Sequence, residues 1–319
     1  MTIQSVENAA GLSRATCGWR LPGLELEAVW NYWRDVHSPA ISRRAGIHVY
    51  RHVRWAPVDS SVLAEIPGVT TAAPENAQLQ WMSDITYRDE DDLARFYKSP
   101  ANPQVVSKIL GDIEMIVDRS TTYLSLRPNM ATLSDRRAEP RQGPPKTPYY
   151  GIFLRQRDED GAFRAGVRDL AAQWSATKGV SRVRFSLFER PDMAADRGAG
   201  YPVKTHPPEQ QYQALVEVET ENEAVTPLLG KGKAAILLAA AAREAHAYPV
   251  AAAYTFVWDG VPTIAGLRGY PALQAIDALG AEHAVDGALL EWMYGPVVHG
   301  ACDDTGTRHP EQAKRPVTS

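Results

Sequence analysis

Trp19-Arg20-Leu21-Pro22-Gly23-Leu24, followed by Tyr32-Trp33-Arg34-Asp35-Val36-His37-Ser38-Pro39, is the stretch on which the reading of the fold turns. A strand runs into a Pro-Gly turn, a short helix follows, and a histidine stands where the chain breaks. Proline pushes the residue before it out of helical geometry, so the helix is expected to stop near Val36 or His37. Trp33 and His37 are four apart and share one helical face. An imidazole beside an indole at a helix end is a candidate catalytic or binding position. Its structural alternative is a histidine that satisfies the terminal carbonyls and complements the helix dipole.

Working outward, the first part of the chain gives a strand at 15–21, a helix at 26–36 and a strand at 47–55. A strand at 79–87, helical pieces at 91–98 and 105–116, and a strand at 120–126 follow. The second part gives a strand at 150–155, a helix at 163–177, strands at 180–188 and 212–218, a helical region at 221–245 and a strand at 250–258. Both parts have the order β-α-β-β-α-β of a ferredoxin-like domain. A ferredoxin-like sheet covers one face with its own helices and must bury the other against something. The expected fold is α+β: two tandem ferredoxin-like domains packing sheet to sheet as an intramolecular α+β barrel. The organisation that follows is a domain at 14–127, a proline-rich linker at 128–148, a second domain at 149–260, a helical appendage at 261–300 and a disordered tail at 301–319. The apolar spacing Leu273, Ile276, Leu279 behind Pro271 supports the appendage.

The 319 residues carry a formal net charge of -4, with 44% hydrophobic and 23% charged residues, the profile of a globular protein. A mildly acidic chain has no general attraction for nucleic acid or anionic membranes. The longest apolar run, Ala234 to Ala242, is bounded by Lys233 and Arg243 and is too short to span a bilayer. The start of the chain has no signal-peptide core, so a cytoplasmic location is expected. Cys17 and Cys302 have no metal-binding spacing and read as free thiols.

The first domain resembles the EthD family of dimeric α+β barrel proteins. The resemblance rests on Arg20-Leu21-Pro22-Gly23, on Tyr32-Trp33-x-x-x-His37-x-Pro39, on Val49-Tyr50, on Trp81, on Leu93-x-x-Phe96 with Ser99-Pro100, and on Asp112 before Val117-Asp118. The second domain keeps the order of elements but reads Gln173-Trp174-Ser175-Ala176-Thr177-Lys178-Gly179 at the matching place. One site, in the first half, is therefore expected. The resemblance implies a superfamily that includes cyclases, dehydratases, decarboxylases, an isomerase and monooxygenases, often acting on aromatic or enolisable substrates.

In the strand Ile47-His48-Val49-Tyr50-Arg51-His52-Val53-Arg54-Trp55, period-2 alternation separates two faces. Ile47, Val49, Val53 and Trp55 form the mainly apolar one, with Arg51 the exception, and are expected to pack under the helices. His48, Tyr50, His52 and Arg54 would then line the barrel interior and bind an oxygenated ring; a polar interface is the alternative. His48 and His52 are about 13 Å apart along a strand, too far to share one ion, and no metal site is expected. His246 and His299, considered as haem ligands, stand alone.

The candidate catalytic residues are His37, His48 and Tyr50. The candidate substrate-binding residues are Trp33, Tyr32, His52, Arg54, Trp81 and Asp84. The resulting expectation is an enzyme with no cofactor, of the lyase or cyclase type, acting by acid-base proton transfer on an oxygenated aromatic or polyketide-like small molecule. It would be a monomer or homodimer. A non-catalytic small-molecule-binding or stress-response barrel, and a haem-dependent barrel enzyme, are the alternatives. The long segments Ala56–Ala77 and Glu189–Gln210 are expected to cover the barrel mouth.

Overall fold

The computed structural model describes residues 6–63, 66–99, 102–136, 139–157, 160–189, 206–207 and 210–295. The first half comprises β1 (Leu12–Arg20), α1 (Leu26–Tyr32), a π-helical turn (Trp33–His37), α2 (Ser38–Ile41), β2 (Val49–Trp55), β3 (Trp81–Tyr87), α3 (Glu90–Lys98), α4 (Pro103–Ile116) and β4 (Val117–Leu126). After β5 (Met130–Asp135) and β6 (Gln142–Gly143), the second half comprises β7 (Tyr149–Gln156), α5 (Asp160–Ser175), β8 (Val180–Leu187), β9 (Ala214–Thr220), α6 (Gly232–Ala241) and β10 (Ala242–Trp258). The short strand β11 (Val261–Pro262) and the helices α7 (Ile264–Arg268), α8 (Tyr270–Leu279) and α9 (Gly287–Tyr294) complete the described chain.

The strands form one sheet in the order β4-β1-β3-β2-β10-β7-β9-β8-β5, with neighbours antiparallel. The 17-residue β10 joins the halves. Its first part pairs with β7, from Ala242 to Pro249, and its second part with β2, from Val250 to Val257. At the other end Glu189 N–H donates to Leu124 O at 2.7 Å, which brings the end of β8 back to β4. The halves thus face each other sheet to sheet, as the order of elements implied, and the appendage is helical.

The interior between the sheets is filled. One end holds Cys17, Trp19, Trp55, Met82, Phe153, Tyr212 and Tyr248. The other holds ions. Arg51 of β2 bonds Asp84 at 2.7 Å and Glu217 of β9 at 2.9 Å, and Arg184 of β8 bonds the same two carboxylates. Burying such charges is costly unless each is paired, and here carboxylates and guanidiniums from both halves alternate.

Outside, α5 carries Phe163, Val167, Leu170, Ala171 and Trp174 on one stripe, which seals the second sheet with Ile152, Val183, Phe185 and Val216. α1 to α4 cover the first sheet.

Several expectations are corrected. Trp33–His37 does not end the helix: Ser38 N–H bonds Trp33 O five residues back, and the chain continues through Ser38–Ile41 with Pro39 in its first turn. The wider turn leaves room for a residue with no N–H to give, and π turns of this kind gather at functional sites. Residues 128–148 are not a free connector, because β5 pairs with β8 and β6 with β10. The region 221–245 turns from helix to strand at Ala242, since alanines serve either state and pairing with β7 decides. The segment Ala56–Ala77 inserts Val62, Leu63 and Ile66 into the core of the second half instead of covering a mouth. Most of Glu189–Gln210, together with Cys302, His299 and the tail 301–319, lies outside the described residues.

Candidate active site

The faces of β2 are the reverse of the expectation. Arg51, Val53 and Trp55 point into the barrel, and Tyr50, His52 and Arg54 point to the helices. The structure accordingly places a cavity of about 60 Å³ between the first sheet and its helices, not inside the barrel. Trp33, His37, Tyr50 and Trp81 line it, as do Arg14, Thr16, Ser83, Ser120 and Thr122. Ile41, Ile85, Phe96, Leu110 and Ile113 supply its apolar walls.

Strand register builds the floor. Thr122, Thr16, Ser83 and His52 lie in one row across β4, β1, β3 and β2. The next row is Leu124, Arg14, Ile85 and Tyr50, and on the other side Ser120, Gly18 and Trp81 are neighbours. Thr16 and Thr122 share a hydrogen bond of 3.0 Å. Trp33 N–H donates to Ser83 Oγ at 3.0 Å, which fixes the indole over the floor.

The roof comes from the helices. The π turn presents Trp33 and His37 together, with ring centroids 4.3 Å apart, and Trp33 also packs on Trp81 at 4.3 Å. Three rings in series give a flat ligand surfaces to pack on. Tyr50 and Ser38 share a hydrogen bond of 2.8 Å, which ties the sheet to the residue after His37.

Asp112 of α4 stands 3.6 Å from Nδ1 of His37. The imidazole first, and then the Tyr32 hydroxyl, hold the Asp112 carboxyl below the usual carboxylate range. Burial first, and then the Asp112 carboxylate, push the Tyr32 phenol up to about 12, so it stays protonated. At that distance Nδ1 of His37 has no hydrogen-bond partner among the described residues, and the carboxylate flanks that side of the ring. Asp112 was part of the sequence resemblance but had no assigned role. Its place on α4, a different helix from His37, hides the pairing from sequence spacing.

The remaining candidates fall elsewhere. His52 is fully buried one row from Tyr50, and neither ring nitrogen has a hydrogen-bond partner among the described residues. Burial, then Arg54 and His37, drive its pKa well down, so it is neutral. Arg54 bonds Asn31 of α1 at 3.1 Å and lies over Trp30 and Tyr254, outside the cavity. His48 is within hydrogen-bond distance of Val6 O, at 2.8 Å, and tethers the N-terminal segment. Asp84 belongs to the buried ion cluster inside the barrel. The structure thus brings together His37, Tyr50, Trp33 and Trp81, with Tyr32 one step behind, and leaves out His48, Arg54 and Asp84. His246 bonds Tyr212 at 2.7 Å at the far end of the barrel. Among the described residues no cluster of His, Cys, Asp and Glu has the geometry of a metal site, and no helix is long and apolar enough to cross a membrane.

Residues 21–120 match the EthD domain, and most of the cavity lining lies among them, with Arg14, Thr16 and Thr122 just outside. No curated protein matches the chain. Solved structures align with it at low identity. An anthrone oxidase-like protein aligns at 9% identity over 79% of this chain and 95% of its own, with a TM-score of 0.46. A candidate monooxygenase from Lactobacillus acidophilus NCFM aligns at 8% over 76% and 93%, with a TM-score of 0.41. A chlorite dismutase variant from Candidatus Nitrospira defluvii aligns at 10% over 77% and 93%, with a TM-score of 0.35.

Proposed function

We propose that this chain, whose residues 21–120 match the EthD domain, is an enzyme that moves a proton on an oxygenated, largely apolar small molecule. The observation that supports this reading is the placement of His37. It lines a mostly apolar cavity, is backed by Asp112, and is flanked by Trp33 and Trp81. Apolar walls with a few convergent polar groups are the usual make-up of a small-molecule site.

In this reading Nε2 of His37 takes a proton from a carbon beside a carbonyl, or from a phenol. The electron pair moves onto the oxygen. Tyr50 and the hydroxyls of Thr16, Ser83 and Thr122 are the donors available to the oxyanion, and donors fixed in advance are what such a charge needs. The imidazolium returns the proton to a leaving group or to carbon. Dehydration, decarboxylation and cyclisation are the reaction types this sequence of steps serves, and among them a lyase or cyclase is the reading proposed.

The cavity is small. At about 10–15 Å³ for each water it holds roughly four to six, well short of the ~150 Å³ that accommodates benzene. A ring is therefore admitted by parting α4 from the sheet. That helix is suited to the movement, since only Ile113 and Ile116 of its residues are buried.

The test is solvent exchange. The protein is incubated in D2O with a panel of phenols and β-dicarbonyl compounds, and deuterium uptake is read by mass spectrometry. Exchange above the buffer rate in at least one compound is expected. Buffer-rate exchange across the panel contradicts the proposal.

A further inference from the structure

Two hydroxyl protons on the cavity floor are left over from its own hydrogen bonds. Ser83 Oγ accepts the Trp33 N–H at 3.0 Å, and its own proton remains. Thr16 and Thr122 share a hydrogen bond of 3.0 Å, which uses one of their two protons and leaves the other. Neither spare proton has an acceptor among the described residues. Ser83 and Thr16 are direct partners across β3 and β1, Thr122 follows in the same row, and all three line the cavity. With Thr122 as donor within the pair, the free proton sits on Thr16, beside Ser83, and a hydroxyl rotor turns to suit its acceptor. The two donors thus stand one strand spacing apart, about 4.8 Å.

The surfaces on either side of this row complete a slot. Gly18 and Trp81 are partners in the adjacent row, and the Trp81 indole lies across β1 because Gly18 has no side chain: a Cβ there would fall 2.0 Å from Cζ2. Trp33 packs on that indole with ring centroids 4.3 Å apart. Ile85 of β3 lines the other side of the row. The slot is therefore aromatic on one side and aliphatic on the other, with two donors at its base.

We infer that the site selects aromatic rings oxygenated at positions 1 and 3, resorcinols and their keto tautomers, standing on edge with one oxygen on Ser83 and the other on Thr16. The two oxygens of such a ring lie about 4.8 Å apart on one edge with parallel lone pairs, which matches the spacing of neighbouring strands. A 1,2-pair stands closer than the strands, and a 1,4-pair points to opposite ends of the ring. In the keto form the carbon at position 4 carries the extra proton. It stands away from the floor, on the side of the roof that presents His37. When His37 takes that proton, the C–H electron pair becomes a ring double bond and the carbonyl pair moves onto the oxygen held below. No oxidant or co-reactant is consumed. This inference rests on the proposed function for the proton transfer, and the recognition of the ring edge is tested apart from it.

The probes are resorcinol, catechol and hydroquinone, three neutral isomers of one size, titrated calorimetrically into the full chain at neutral pH. The wild type is expected to bind resorcinol about tenfold more tightly than either isomer, the worth of one well-made hydrogen bond. Ser83→Ala, and separately the double variant Thr16→Val with Thr122→Val, are each expected to lose that preference. Thermal melting reads whether each variant folds, and where one does not, the wild-type comparison decides. Resorcinol bound no more tightly than its isomers, no binding of any of the three, or a preference that survives in either folded variant overturns the proposal. The preference is expected to persist in His37→Gln. A retained preference without solvent exchange discards the proton-transfer reading and leaves the edge recognition standing. Intact exchange with equal affinity for the isomers does the reverse.

Discussion

Nδ1 of His37 stands 3.6 Å from Oδ2 of Asp112, and the Tyr32 phenol of the preceding helix is the second group that lowers the pKa of the same carboxyl. The π turn and α4 thus share one carboxyl group, and its ionisation reports the geometry. Tyr32→Phe removes one of the two groups that hold the Asp112 pKa down, so that pKa is expected to rise toward the ordinary range. NMR titration of the Asp112 carboxyl carbon in both proteins checks this. An unchanged value would show that the phenol does not reach Asp112 in solution.

Gly18 makes room for Trp81. A Cβ at Gly18 would fall 2.0 Å from Cζ2 of the indole. Gly18→Ala must therefore lift Trp81 off β1 and break its packing against Trp33. The expected outcome is a drop of at least tenfold in exchange activity, with a stability loss of about 1–3 kcal/mol from overpacking. Chemical denaturation and the exchange assay measure the two separately. A fully active Gly18→Ala protein would mean that Trp81 takes no part in the site.

Acid stability depends on the ion cluster inside the barrel. Burial alone would raise the Glu7 pKa, but Arg182, then Arg51 and Arg184, outweigh it and bring the carboxyl from 4.5 to about 2. A carboxyl whose folded pKa lies below its unfolded one stabilises the fold fully above the unfolded value and loses that contribution as pH falls through the folded one. The Glu7 contribution is thus complete above about pH 4.5 and gone below about pH 2, on the order of 3 kcal/mol from the gap between the two values. Asp84 and Glu217 shift in the same direction. Urea unfolding across that window should show stability falling steadily toward acid, and Glu7→Gln should flatten part of the slope. A flat wild-type profile would contradict the paired, ionised cluster.

Much of this architecture was legible in the sequence, and what was not has physical causes. The order of elements in both halves and the Trp33–His37 pairing follow from short-range periodicity, which a sequence displays directly. The faces of β2 did not follow, because alternation separates two faces without saying which is inside. Arg51 was the misleading residue: it reads as a blemish on an apolar face, yet Glu217, 166 positions away, is its partner. Asp84 was placed near a ligand for the same reason, since its guanidinium partners come from β2 and β8. The pairing of β5 with β8 hid in a proline-rich stretch whose strand character needs its neighbour. Leu63, fully buried in the other half's core, shows why a long loop is not by itself a lid.

His37 is proposed as the proton-transfer group of a single site in the first half. The most direct measurement is the solvent-exchange rate of His37→Gln on whichever panel compound the wild type exchanges fastest, beside thermal melting of both proteins. A loss of ~10²–10⁴-fold is expected, the range a general acid-base group contributes, with little change in melting temperature. An exchange rate equal to the wild type's in a folded His37→Gln protein would contradict it.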